Sequence, residues 1–334
     1  MGRYVVKRVL QFVPTMVGAL FLLHYLTCLG IQLTGNPIRA LFGDRKPPQY
    51  QLDAMTRAMG LDDPCLRRVG DPCVALFGHR LVSMSHGDFG GDFRGRPVID
   101  IIGDAAPFTI RLALLAFLTE LLVGVGAGIL AGARSGGKLD YAVNTSAVLL
   151  VSIPVFVFAF GVQLLFGVYI GRPLRESSWV PSWLGELFTP AFKADSPTLS
   201  MLIPGVVLGV IGLATTTRLM RANLMENMRM DYVRTARAKG ASPRRVIGVH
   251  VLRNSLIPVV TNLGITLGTL LGGALVVESI FNVPGIGREV QQALFRGEPS
   301  VVIGTVTVLV IVYLVVNLVV DVMYAVIDPR IRYE

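Results

Sequence analysis

The chain has 334 residues, 52% of them hydrophobic and 16% charged, with a mean hydropathy of +0.61, a balance that excludes an ordinary soluble globular protein. A formal charge of +9 would suit a nucleic-acid binder, but the basic residues gather in short segments between long uncharged ones, and nucleic acid is not an expected partner. Six stretches nearly free of Asp, Glu, Lys and Arg follow one another: Val9–Ile31, Leu112–Ala133 with one Glu, Tyr141–Gly171, Ser196–Thr217, Asn254–Val277 and Pro299–Val320. Each exceeds the roughly 20 residues that a helix needs to cross a hydrocarbon core. The expected fold is therefore all-α, a polytopic membrane protein with six transmembrane helices. The first stretch is longer than the apolar region of a signal peptide and runs on into Gln32 and Leu33, so it is expected to remain as a helix.

In chain order the segments are 1–31, a basic N-terminus and first span; 32–107, a long outer segment between helices 1 and 2; and 108–334, a core of five spans containing the connection 218–253. Orientation follows from charge. With the N-terminus inside, the inner segments hold Arg3, Lys7 and Arg8; Arg134 and Lys138 against Asp140; nine Lys/Arg against Glu226 and Asp231 in 218–253; and a neutral tail. The outer segments balance: nine against nine in 32–107, three against three in 172–195, two against two in 288–298. The whole excess lies on one side, as the positive-inside rule requires, and both termini are expected in the cytoplasm.

The outer segment contains an amphipathic stretch, Gln51 to Met59, then Cys65 and Cys73 around Gly70 and Pro72, then a turn-rich run at 87–97. It is expected to fold as a small lid. An outer compartment permits a Cys65–Cys73 disulfide, two free thiols being the alternative; Cys28, inside the first span, reads as a small packing residue. Trp179 and Trp183 read as interfacial anchors. Glycines at 124, 128 and 132, and at 264, 268 and 272, mark helix faces for close approach. Neither the 124–128 glycines nor Gly136-Gly137-Lys138-Leu139 forms a nucleotide loop, since the strand, acidic residue or Ser/Thr such loops require is missing. The four histidines, 24, 79, 86 and 250, show no metal-ligand spacing, and no metal site is expected.

The connection 218–253 is the most informative segment. Asp231 suits an N-cap or first turn, Tyr232 to Lys239 is a helical run, Gly240 breaks it, and Ser242 with Pro243 starts a second helix, both helices lying below the membrane. Ala236 and Gly240, four apart, share a face whose small side chains suit insertion into a groove of another protein. A basic helix resting on anionic lipid and a helix-turn-helix element remain alternatives at this point.

Tyr-Val-Arg-Thr-Ala-Arg-Ala-Lys-Gly (232–240) resembles the coupling loop of ABC-transporter permeases, specifically the B-type subunit of dipeptide and oligopeptide importers. Gly-Leu-Asp-Asp-Pro (60–64), Gly-Asp-Phe-Gly (87–90), Gly-Arg-Pro-Val (95–98), Arg-Asn-Ser-Leu-Ile-Pro-Val-Val-Thr (253–261), Val-Glu-Ser-Ile-Phe-Asn-Val-Pro-Gly-Ile-Gly (277–287) and Asp-Pro-Arg-Ile-Arg-Tyr (328–333) are similar to this family in order and spacing. Arg234 stands where the general signature has Glu, and His250 and Arg253 where it has Ile and Pro; all three narrow the subfamily to the peptide type. The resemblance implies a type I importer fold in a bacterial plasma membrane. It also implies pairing with a second, homologous permease, two ATPase subunits that carry the ATP and Mg, an extracytoplasmic substrate-binding protein, and no cofactor on this chain. The ATPase-coupling residues it implies are Asp231, Tyr232, Arg234, Thr235, Ala236, Arg237, Lys239, Gly240 and Ala241.

Charges at membrane depth need a partner or a wet cavity. Glu120, near the middle of the second span, is a translocation-pathway candidate, with a hydrogen-bonded packing role as the equal alternative. Glu278 is a second, weaker pathway candidate, better explained by an ion pair with Arg288; Asp321 reads as an anchor. An ion-coupled secondary transporter is the competing function, but it usually shows internal repeats, and none is visible. A membrane enzyme lacks any paired catalytic constellation here.

Overall fold

The computed structural model describes residues 2–35, 38, 47–58 and 60–327. The tail motif 328–333 and most of 36–46 lie outside the described residues. The chain runs through α1 (Gly2–Thr34), α2 (Gln49–Ala58), α3 (Val74–Ser85), α4 (Val98–Ala133), α5 (Lys138–Ser152), α6 (Val155–Glu176), α7 (Ser182–Leu187), α8 (Pro197–Asn227), α9 (Asp231–Ala238), α10 (Leu252–Phe281), α11 (Ile286–Arg296) and α12 (Pro299–Ile327). Six runs are long and apolar enough to cross a membrane: Val6–Thr34, Val98–Ala133, Val155–Glu176, Pro197–Asn227, Pro243–Gly272 and Pro299–Val322. Each overlaps one of the six uncharged stretches. The third differs in extent, because the expected span from Tyr141 is two helices. Pro154 has no N–H to continue α5 and forces the residue before it out of the helical region, and Ile153 is extended (φ −89°, ψ 123°).

The chain forms two compact units. The first comprises Thr109–Val283 with the final segment from Val319. Its centre is α8, fourteen of whose residues are buried. The glycine face of α4 lies against it: a Cβ on Gly128 would stand 2.6 Å from the Met220 Cβ and 2.7 Å from the Thr217 carbonyl, and one on Gly132 3.0 Å from Leu224. Only hydrogen fits there, so the backbones approach closely. Of the second glycine repeat, Gly264 meets Val320 in the same way, whereas Gly272 meets nothing within 4 Å. At one end of this unit Gln163 donates to the carbonyls of Pro190 and Ile280, both at 2.7 Å, and the Phe192 amide donates to Phe281 at 2.8 Å. These bonds tie α6, the segment after α7 and the end of α10 together. Trp179 and Trp183 are both exposed.

The second unit comprises Gly2–Phe108 with Pro284–Leu318. Cys65 and Cys73 are joined in a disulfide, Cα atoms 5.4 Å apart. The loop they close is docked on α1 by Gln32, which donates to the carbonyls of Asp71 (2.9 Å) and Cys65 (3.2 Å) and accepts from the Gly70 amide (2.9 Å). Deeper along α1, Arg80 lies 3.1 Å from Nδ1 of the buried His24. A guanidinium can only donate, so Nδ1 accepts, and Nε2 carries the proton that it donates to the Cys73 carbonyl at 3.1 Å. The 87–97 run is a tight turn in which Asp92 accepts from the amides of Arg94 and Arg96. Beyond it, Val98, Ile101 and Ala105 share a core with Ile286, Ala293 and Val301.

Candidate functional site

Between the membrane-crossing α8 and α10 the chain makes one short helix, α9. Its start is fixed locally. Met230 is the extended N-cap (φ −71°, ψ 151°), Asp231 occupies the first turn, where a carboxylate favours the helix dipole, and Arg237 the last, where a cation does. The Tyr232 hydroxyl donates to Asn227 at 2.8 Å, linking α9 to the end of α8. Gly240 terminates it in the left-handed region (φ +80°), with the Gly240 amide donating to Arg237 and that of Ala241 to Ala236. Ser242 then accepts from the Arg245 amide, and Pro243 begins the next helix. That helix is not a separate one below the membrane. It passes through a widened turn, Val246–Val251, directly into α10, so the second expected helix is the base of the fifth span.

The inner face of α9 consists of Val233 and Ala236, fully and almost fully buried. They share one apolar cluster with Met220 and Leu224 of α8, Val259 and Leu263 of α10, and Val125 of α4. This corrects the reading of Ala236 as part of an outward face: its methyl points into its own chain, leaving no small-residue ridge for insertion. Tyr232, Arg234, Thr235, Arg237, Lys239 and Gly240 face outward. Arg234 and Asp231 form an exposed pair at 3.4 Å, of little energetic weight. The small residues have a different result. Ala236, Gly240 and Ala241 leave room for a cleft of about 440 Å³, walled by Tyr232, Thr235 and Lys239 on one side and by Arg245 and His250 on the other. The sequence reading carried the coupling segment as far as Arg245 but did not place His250 at this site. The available signal was its position two turns past the Ser242-Pro243 helix start.

Glu120 opens the widened turn Glu120–Gly124 of α4 and has no accessible surface. Its Oε1 accepts from the Thr216 hydroxyl at 2.5 Å, which accepts in turn from the Asn262 amide at 3.1 Å. The carboxyl lies directly over Gly212, where any side chain would collide with it. In this structure it is enclosed by α4, α8 and α10 of its own chain, the arrangement that the packing alternative describes. Glu278 is also fully buried and accepts from the Thr109 hydroxyl at 2.6 Å.

A pair that sequence reasoning missed lies at the base of α8. Asp140 accepts from Arg221 through Nε (2.5 Å) and Nη2 (2.7 Å), from the Gly136 amide (2.9 Å) and from Asn144 (2.7 Å). The Arg221 bonds, then the Gly136 amide, hold its pKa down at about 2.

Six apolar membrane helices with a short helix slung between the fourth and fifth form the fold of an ABC-importer permease. A solved inward-facing structure of the MetNI methionine ABC transporter superposes with a TM-score of 0.54, covering 68% of this chain and 96% of that one at 17% identity. Residues 124–333 match the family of binding-protein-dependent transport system inner membrane components, and the chain belongs to that family. It is 32% identical to a di/tripeptide transport system permease protein of Pseudomonas aeruginosa (strain UCBPP-PA14), over 99% of both chains. It is 30% identical to a dipeptide transport system permease protein of Alkalihalophilus pseudofirmus, over 99% of both, and 30% identical to an oligopeptide transport system permease protein of Bacillus subtilis (strain 168), over the whole of both.

Proposed function

We infer that the chain is the membrane-spanning B-type subunit of an ATP-driven importer of peptides. It pairs with a second, homologous permease to enclose the pathway, receives its cargo from an extracytoplasmic binding protein, and takes its driving force from two ATPase subunits. Those ATPases, not this chain, hold ATP and Mg. The peptide cargo is supported by full-length similarity to di-, tri- and oligopeptide transport permeases. The observation that carries the coupling role is the two-sidedness of α9. One side presents Arg234, Thr235, Arg237 and Lys239 to solvent, while Val233 and Ala236 seal the other into the cluster shared by α8 and α10. A helix anchored in this way moves those two spans when a partner moves it, because a close-packed core transmits displacement rather than absorbing it.

The test is Gly240→Trp in the assembled transporter. The substitution strains a left-handed backbone position and fills the adjoining cleft. The protein should still insert, since Gly240 lies between the spans, but peptide uptake should fall about tenfold or more, with ATP hydrolysis no longer stimulated by the binding protein. Normal uptake by a well-inserted variant would remove α9 from the coupling path. The absence of co-purifying ATPases from the wild-type complex would overturn the importer reading itself.

A further inference from the structure

In the 236–241 segment the small residues do not thin a helix so that it enters a partner; they hollow a cleft into this chain. Its polar lining is one-sided in charge. Lys239 and Arg245 are cations, His250 adds an imidazole, and no Asp or Glu lines it. The nearby basic residues Arg221 and Arg234 are paired, with Asp140 and Asp231, whereas Lys239, Arg245 and His250 form no ion pair among the described residues. Cations held around a concavity repel one another until an anion enters. The flanking Tyr232 hydroxyl and Thr235 supply neutral hydrogen-bonding groups. A volume of about 440 Å³ admits one acidic side chain with its neighbours, not a domain.

We propose that this cleft is a receptor for an aspartate or glutamate side chain presented by the ATPase subunit that engages α9. The proposal rests on the coupling reading above, and adds that the contact is reciprocal: the helix docks on the ATPase while an acidic residue of the ATPase docks in the helix's own cleft. Its walls, Tyr232, Thr235, Lys239 and Gly240, are the exposed residues that the coupling reading places in that interface, so an occupant of the cleft in the assembled transporter belongs to the interface. Arg245 and His250 stand on the base of the fifth span. A carboxylate held between them and Lys239 would tie the ATPase to α9 and to that span together.

The complete complex, permease pair in nanodiscs with its ATPases, provides the test. A carbodiimide, which joins an amine only to a carboxylate in contact with it, should cross-link Lys239 to a single Asp or Glu of the ATPase. Arg245→Glu should weaken ATPase binding roughly tenfold or more, Arg245→Gln less, and reversal of the cross-linked acid to Arg should restore binding to the Arg245→Glu complex. Wild-type binding should weaken with salt more steeply than that of the Gln variant. Intact assembly with no Lys239 cross-link and unchanged affinity in both Arg245 variants would overturn the carboxylate site while leaving the importer reading standing. Failure of wild-type assembly would overturn both. Unchanged ATPase affinity combined with loss of binding to phosphatidylglycerol vesicles in Arg245→Glu would assign the cleft to lipid headgroups and likewise overturn the proposal.

Discussion

Asp140 shows what one carboxylate contributes when it is surrounded by donors. Its folded pKa of about 2 lies below its ordinary 3.8, so its contribution to stability is complete above about pH 4 and is lost as the pH falls towards 2. Asp140→Asn should lower stability at neutral pH by about 1–3 kcal/mol, because the half-buried Arg221 loses its counter-charge. The gap between wild type and variant should close on acidification through that window, measured as thermal midpoints in detergent at a series of pH values; a pH-independent gap would assign the effect to packing. This pair was not legible in the sequence. Charge counting put both residues on one side of the membrane, but 81 positions separate them and no periodicity connects the two. Glu120 was legible as an anomaly, since its depth identified it. That Thr216 and Asn262, each from a different span, close around it required the helix packing.

At the level of elements, spacing was a good guide to contact and a poor guide to direction. The four-residue glycine period of α4 marked a helix–helix interface, and α8 lies against it; the same period in α10 is used for close approach at Gly264 and not at Gly272. Gly128→Leu should therefore force α4 and α8 apart, with a cost of about 1–3 kcal/mol or failure to accumulate, whereas Gly126→Ala, where a Cβ meets nothing within 4 Å, should be tolerated. Yield and thermal midpoint of the two variants provide the comparison, and equal behaviour would remove the glycine face from the packing argument. The same limit explains Ala236. Its spacing from Gly240 suggested a shared helix face, but α9 ends at Ala238, Gly240 turns off at positive φ and faces outward, and Ala236 packs inward with Val233. Here Val233, one turn earlier, already provided the hint, since an apolar residue beside Ala236 in a basic helix belongs inside. The boundaries of α9 were legible because local chemistry sets them: Asp231 in the first turn, Gly240 at positive φ, and Ser242 with Pro243 at the restart.

For the molecule as a whole, the charge ledger makes a claim about sidedness that the contacts within the first unit bear on independently. Two groups of helix ends gather there. One holds Gly136, Asp140 and Arg221, tied by the carboxylate's hydrogen bonds, together with α9 on the end of α8; all were assigned to the positive side. The other holds Pro190, Phe192, Ile280 and Phe281, tied through Gln163 and the 192–281 backbone bond, all near segments assigned to the balanced side. No residue of one group was assigned to the other's side, which six spans of alternating direction would violate if a helix had been missed or added. Assigning the first group to the cytoplasmic side is our proposal, resting on the surplus of Lys and Arg. Single cysteines offer a direct check, and the native thiols interfere little, Cys65 and Cys73 being bonded and Cys28 buried. Replacements at the exposed Arg94 and Arg296 should react with a membrane-impermeant maleimide added to intact cells, and those at the exposed Arg134 and Arg229 only after the membrane is opened. Outside reaction at Arg229 would invert α9, leaving it on the wrong side for a cytoplasmic ATPase, and the coupling role would fall with the topology.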